Sequence, residues 1–239
     1  MLKTQYGTTT ILYRLEYRNR RTLGIEVHPD GHVLVLAPIL ADLETIQARV
    51  FKRASWILKQ QREFASYALP QPERRFVAGE THRYLGRQYR LKLEHGTPEQ
   101  VKLARGELCI TTTDPSRVER LLMRWFRTRA ENVFEERIRV CLERVAPFGI
   151  SHAGSFKLKS MAKRWGSCTA GGVIYLNPLL VGAPKECIDY VVIHEHVHTV
   201  YFHHKSEFYA LLSRCFPNWQ TVRKRLHTLV ELPKTRNSK

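Results

Sequence analysis

The first forty residues alternate between apolar and polar positions, which predicts β-strands. TTILYRLEYR is rich in β-branched and aromatic residues, and TLGIEV and HVLVLAP flank the segment HPDG at residues 28–31. A Pro-Asp-Gly segment between two apolar runs is typical of a hairpin. After a linker with two prolines at residues 68–75, THRYLGRQYRLKLE and QVKLARGELCITT predict further strands with a turn at Arg105-Gly106. We therefore expect a β-rich N-terminal region over residues 1–112.

One helix is expected within this β-rich region. Residues 41–64 contain neither glycine nor proline, and their apolar positions recur with a helical period. These positions are Leu43, Ile46, Val50, Ala54, Ile57 and Leu58. The pattern predicts one long basic helix, with Trp56 packing it against the strands.

From residue 114 the pattern becomes mainly helical. Asp114-Pro115 is a cap followed by a first-turn proline, and the apolar stripe that follows predicts a helix that ends at Pro147-Phe148-Gly149. FKLKSMAKRWGSC and GGVIYLNP then predict two strands around a glycine-rich turn. Further helices are expected from Pro184, from Ser206 as a cap, and after Pro217. The sequence predicts an α+β fold without internal repeats, divided into domains 1–112 and 113–239.

Composition narrows the class of protein. The 239 residues include 39 Lys+Arg and 22 Asp+Glu, for a net charge of +17. Such a field favours polyanions, although it equally describes a well-solvated surface. The N-terminus lacks the apolar core of a signal peptide, and no apolar run nears the ~18 residues of a membrane span, so we expect a cytoplasmic protein. Five scattered cysteines without a C-x-x-C pair argue against disulfides and a cysteine-based zinc site.

The stretch VVIHEHVHTVYFHHKSEF, residues 191–208, carries the candidate chemistry. His194-Glu195-x-x-His198 is the H-E-x-x-H pattern, in which residues four apart lie one above the other on a helix. Two imidazoles can then take adjacent corners of a zinc tetrahedron, while Glu195 reaches a metal-bound water as general base. The preceding apolar run indicates a buried helix. Burying polar side chains costs free energy unless they have bonding partners, so the cluster indicates a bound group.

A third ligand is needed, and several residues compete for the role. His204 stands six positions after His198, the spacing of the third histidine in metzincins. A metzincin is not expected, because Tyr201 replaces the required glycine and no methionine follows the motif. The alternatives to His204 are His203, Glu207 and Glu231. His196 lies about 200° around the helix from His194 and is expected to point away from the metal.

The segment from Met161 to His198 resembles the YgjP-like family of metal-dependent hydrolases. The shared motifs are Arg-Trp-Gly-Ser-Cys at 164–168, Leu-Asn at 176–177, the helix start at 188–192, and H-E-x-x-H with a third histidine. The resemblance implies a zincin-like catalytic half, with a backing helix, a small sheet and an edge strand over the metal. It also implies Zn²⁺ bound by His194, His198 and His204, with Glu195 as the base. The departures are His196, where the family usually has an apolar residue, and residues 201–203.

The reaction itself stays open between several functions. A metallopeptidase is the first hypothesis, because an edge strand can align an extended peptide. The site is also similar to those of SprT-like and Wss-type proteases, which act on DNA-bound proteins. Some members of the YgjP-like family are described as UTP pyrophosphatases, which is the second hypothesis, and a nucleic-acid-binding module with structural zinc is the third. Arg164 is a candidate ligand for a substrate carboxylate or phosphate, whereas Trp165 is expected to pack in the core.

Overall fold

The computed structural model describes residues 1–28, 31–65, 74–151, 155–162 and 164–230. The chain has the predicted α+β class and divides into two compact units, Met1–Gln71 and Pro72–Lys239. The sequence predicts domains 1–112 and 113–239; in the structure the strands of residues 81–111 share a core with the helix that follows. Among the described residues, no helix combines the length and apolar character that crossing a membrane requires.

The first unit contains a four-stranded sheet. Its strands are β1 (Leu2–Tyr6), β2 (Thr9–Arg18), β3 (Gly24–Val27) and β4 (Val33–Pro38), in the order β1-β2-β4-β3. β2 and β4 are parallel, and the two outer pairs are antiparallel. The predicted pairing of TLGIEV with HVLVLAP is therefore confirmed, although Pro29 and Asp30 of the turn lie outside the described residues.

Two helices cover this sheet where the sequence predicts one. They are α1 (Leu43–Lys52) and α2 (Ala54–Ala65), separated at Arg53. The break keeps Val50, Ala54 and Ile57 in one core with the inward residues of the strands. The prediction for Trp56 is wrong: its side chain is 39% exposed, and the smaller Ala54 and Ile57 make the packing contacts instead.

The second unit begins with a sheet of the same topology. Its strands are β5 (Thr81–Tyr84), β6 (Arg87–Glu94), β7 (Gln100–Ala104) and β8 (Glu107–Thr111), in the order β5-β6-β8-β7. Its central pair is again parallel and its outer pairs are antiparallel. The two sheets have the same strand order and the same pairing directions, which is a structural repeat where the sequence predicts none.

A long helix forms the centre of the second unit. Asp114 caps a short 3₁₀ turn, from which α3 (Val118–Val145) continues, and its predicted apolar stripe is buried apart from the partly exposed Leu142. Gly149 ends the helical segment with φ = 75°, as its sequence predicts. Arg137 of α3 forms a bidentate ion pair with Asp189 of the helix that packs on it, with both N–O distances at 2.7 Å. The pair fixes the orientation of that helix, α4 (Lys185–Val197).

A small sheet lies beside α4. It contains β9 (Phe156–Leu158), β10 (Gly166–Cys168) and β11 (Ile174–Leu176), in the order β10-β11-β9. The stretch FKLKSMAKRWGSC therefore contributes two strands, one on each side of β11, where the sequence predicts one. The last helices are α5 (Ser206–Cys215) and α6 (Trp219–Leu229), which Pro217 separates as predicted. Ser206 is the first helical residue of α5, and Lys205 holds the cap position.

Candidate metal site

Three histidine nitrogens converge at the C-terminal end of α4. The Nε2 atom of His204 lies 3.1 Å from Nε2 of His198 and 3.1 Å from Nε2 of His194. Within the described residues, these three side chains form the one group of His, Cys, Asp and Glu whose ligand atoms all lie within 4.8 Å of each other. When all three Nε2 atoms are unprotonated, their lone pairs face each other at this distance and repel, so the arrangement suits a cation held between them.

The surroundings of these rings favour the neutral, metal-binding form of imidazole. Burial, and then the charges of its histidine neighbours, lowers the pKa of His194 well below its usual value. Burial likewise lowers the pKa of His198 and of His204. His198 Nδ1 lies 2.9 Å from the carbonyl oxygen of Tyr201, so this nitrogen carries the proton and donates it. The Nε2 atom of His198 is then left with a free lone pair that points at the group.

A phenylalanine packs beneath all three rings. Phe208 is fully buried, and its ring centroid lies 4.9 Å from that of His194, 4.6 Å from that of His198 and 4.7 Å from that of His204. It follows His204 by four residues and sits on the first turns of α5. Because each imidazole rests on the same fixed ring, Phe208 limits the rotations that would separate the three nitrogens.

Glu195 is the acidic side chain beside this group. It is 5% exposed, and burial raises its pKa to about 8, against the lowering effects of the Arg164 charge and a hydrogen bond from the Cys168 backbone. A carboxyl group with a pKa near neutrality can both accept and return a proton at the pH of the cell. Glu195 is therefore suited to proton transfer.

The strand β10 approaches Glu195 so closely that it needs a glycine. A Cβ atom on Gly166 would lie 2.7 Å from Oε1 of Glu195 and 2.8 Å from its Cγ. The Trp165 carbonyl accepts from Asn177 N–H and the Thr169 N–H donates to the Val173 carbonyl, both on the β11 side, so Gly166 and Cys168 direct their backbone groups to the other side. β10 is the outermost strand of its sheet, and the side that bears no further strand among the described residues faces Glu195, with Gly166 buried and Cys168 partly exposed.

The remaining residues proposed from sequence lie elsewhere or at the margin. His196 is buried, and its Nδ1 bonds the carbonyl of Val192, 2.7 Å away, on the interior side of α4. His203 and Glu207 are exposed and do not belong to the group of ligand atoms. Glu231 lies outside the described residues. Arg164 is exposed and near enough to Glu195 to influence its pKa.

Sequence reasoning missed two residues that position the site. One is Phe208, whose spacing of four from His204 is the signal that could have found it. The other is Asn177, which is 1% exposed and holds the segment that leads into β10. Its side-chain nitrogen donates to the carbonyl of Met161 at 2.8 Å, and its backbone N–H donates to the carbonyl of Trp165 at 2.8 Å.

Fold and site together define a class. This is an α+β protein whose three-histidine group, formed by the end of one helix and the chain segment after it, with a buried glutamate on that helix, is the kind of site with which metallopeptidases hold a metal ion. The family model of the YgjP-like metallopeptidase domain matches residues 21–229, and the chain belongs to that family. A search of curated proteins found no match.

Proposed function

We propose that the protein is a zinc-dependent hydrolase that cleaves peptide bonds. The observation that carries this proposal is the position of the buried Glu195 between three converging imidazoles and β10, the edge strand of its sheet. Each of these parts has a separate role in hydrolysis, and a metal site that served only structure would not need a base beside it.

Zinc is the proposed ion because the donor set and the spacing suit it. Zn–N bonds of ~2.0–2.1 Å at the tetrahedral angle place two ligand nitrogens about 3.3 Å apart. The two Nε2 separations of 3.1 Å that involve His204 agree with that value. We therefore assign His204, together with His194 and His198, as the ligands. A bound zinc ion supplies Lewis acidity and lowers the pKa of water.

The residues of the chain would carry out the other steps. Glu195 accepts the proton of the attacking water and returns it to the leaving amine. An extended substrate would pair with β10, the edge strand beside Glu195, as in β-strand addition to a sheet edge. Arg164, exposed and close to Glu195, is proposed to contact a substrate carboxylate.

Nucleotide pyrophosphate hydrolysis is the second candidate. Its support is the charge around the site, because the sequence between Arg144 and Lys185 contains no Asp or Glu. Phosphoryl transfer normally uses Mg²⁺ bound through carboxylates. Among the described residues, the one group able to hold a metal ion consists of histidines, which favours the peptidase.

Two substrates and four proteins test the proposal. Zinc-loaded protein is assayed with a quenched fluorescent peptide library and with UTP, next to Glu195→Gln, His204→Ala and His203→Ala. We expect peptide cleavage by the wild type, loss of turnover with zinc retained in Glu195→Gln, and loss of zinc only in His204→Ala. Cleavage of UTP with all peptides intact would refute the peptidase, and unchanged zinc in His204→Ala would refute the ligand assignment.

A further inference from the structure

The helix α3 has an exposed face made of arginines. Its 28 residues include seven arginines and no lysine. Arg120, Arg124 and Arg127 are all exposed, and at 100° per residue they fall within a sector of about 60°. They span about 10 Å along the helix axis. This set of three residues, the arginine face, lies opposite the stripe with which α3 enters the core.

This arrangement is unfavourable for the helix by itself. Like charges three or four residues apart cost an isolated helix about 0.2–0.5 kcal/mol per pair. The positive charge of Arg120 also lies in the first turn, where the helix dipole favours acidic groups. Acids near the face offset this only in part: Arg127 and Glu131 are 3.8 Å apart and both more than half exposed, and Asp114 lies near Arg120.

The chemistry of the face selects its partner. Guanidinium groups bind phosphate oxygens through two parallel hydrogen bonds, whereas ammonium groups act as point charges. All the cationic side chains of α3 are guanidinium groups. A helix that binds a membrane surface needs an exposed apolar side, but the apolar stripe of α3 is buried in the core. Phosphates at regular spacing, without lipid, are the feature of a nucleic-acid backbone.

We propose that the arginine face of α3 binds the phosphate backbone of nucleic acid. This function is separate from hydrolysis and does not depend on the metal site, since none of the three arginines belongs to it. One strand of a duplex carries a phosphate about every 3.4 Å of its axis, so a face of about 10 Å can contact two or three phosphates. Binding of this kind is independent of base sequence.

The test measures affinity against salt. Full-length protein is titrated into fluorescein-labelled DNA duplex and RNA duplex of one sequence at several NaCl concentrations, with anisotropy as the readout. One variant carries Arg120→Gln, Arg124→Gln and Arg127→Gln. A matched control carries Arg87→Gln, Arg90→Gln and Lys102→Gln, three exposed residues of the second sheet that remove the same charge.

We expect the arginine-face variant to bind at least tenfold more weakly at 100 mM salt, with the slope of log K against log salt reduced by about 2–3. The control should change the slope by less than about 1. A third variant with Arg→Lys at the same three positions should keep most of the slope but bind more weakly. A response to duplex DNA and not RNA, or the reverse, identifies which nucleic acid is bound.

Three results would overturn the proposal. The first is an equal loss of affinity in the control variant, which would show that net charge alone causes the effect. The second is the absence of measurable binding by the wild type to either duplex. The third concerns a parallel titration with vesicles that contain about one-third phosphatidylserine. If the arginine-face variant loses affinity for these vesicles and not for either duplex, the partner is a lipid surface. Circular dichroism of all variants establishes that α3 remains folded.

Discussion

Gly166→Ala should displace the proposed general base without touching the metal ligands. The added Cβ would lie 2.7 Å from Oε1 of Glu195 and 3.0 Å from its Cδ, whereas ordinary contact begins at 3.4 Å. The φ angle of Gly166 is not in the left-handed region, so the methyl group is the whole perturbation. Because α4 fixes the backbone of Glu195, its carboxylate must move by about 0.7 Å.

Moving the carboxylate should lower both the catalytic rate and the free energy of unfolding. A displacement of about 1 Å in a catalytic group costs up to about 100-fold in rate, so we expect kcat/KM to fall by roughly 10–100-fold. The free energy of unfolding should fall by about 1–3 kcal/mol, as for other additions to a packed interior. Zinc content should stay at one equivalent, because none of the ligand atoms is among the nearest neighbours of the new Cβ.

Two comparisons show whether the effect acts through Glu195. Gly171→Ala, in the β10–β11 turn, is the matched control, because its Cβ would meet nothing closer than 4.0 Å. In a double-mutant cycle measured on the residual activity of Glu195→Gln at high enzyme concentration, Gly166→Ala should cause little further loss. Steady-state kinetics and metal analysis of the four proteins give the answer. Full activity in Gly166→Ala, or an equal loss in the Glu195→Gln background, would refute the reasoning.

Two further predictions concern other buried residues. Phe208→Ala should weaken zinc binding by at least tenfold in a chelator competition, because the three imidazoles lose their common support. Phe216→Ala, a control that is also buried, should lower the free energy of unfolding without changing zinc affinity. Equal zinc affinities in the two variants would contradict the supporting role of Phe208. Burial lowers the pKa of His82 to about 4 in the folded protein, whereas a histidine in the unfolded chain has a pKa near 6.5. As the pH falls, the unfolded chain is therefore protonated at His82 before the folded protein is. Stability should therefore be full above pH 6.5 and decline towards pH 4, by at most about 3 kcal/mol. Urea unfolding at several pH values measures this decline, which should be smaller in His82→Leu. If the pH dependence of stability is the same in that variant, His82 is not its cause.

Local patterns determined the elements of this protein and the kind of site it carries. The strand alternation, the caps and the helical period depend on neighbours within a few residues, so β2, α3 and α4 could be predicted from sequence. The position of His198 relative to His194 follows from one helix turn. Resemblance to the YgjP-like family predicted the membership that the family model confirms.

Other features depended on residues distant in the chain. The break at Arg53 and the exposure of Trp56 follow from how two helices fit one sheet, which no local pattern contains. The chain turn that brings His204 back to α4 has no periodic signal, so its geometry required the folded structure.

The tertiary structure also decided which residues support the chemistry. Gly166 and Glu195 lie almost thirty positions apart, and only the packing of β10 against α4 shows that one needs to be glycine for the other to fit. Phe208 looks like any core aromatic in the sequence. The sequence by itself determined which chemical groups the site contains, because residue type and helix period are local; their mutual distances, burial and shifted pKa values were decided by tertiary contacts, because burial and charge act through space and not along the chain.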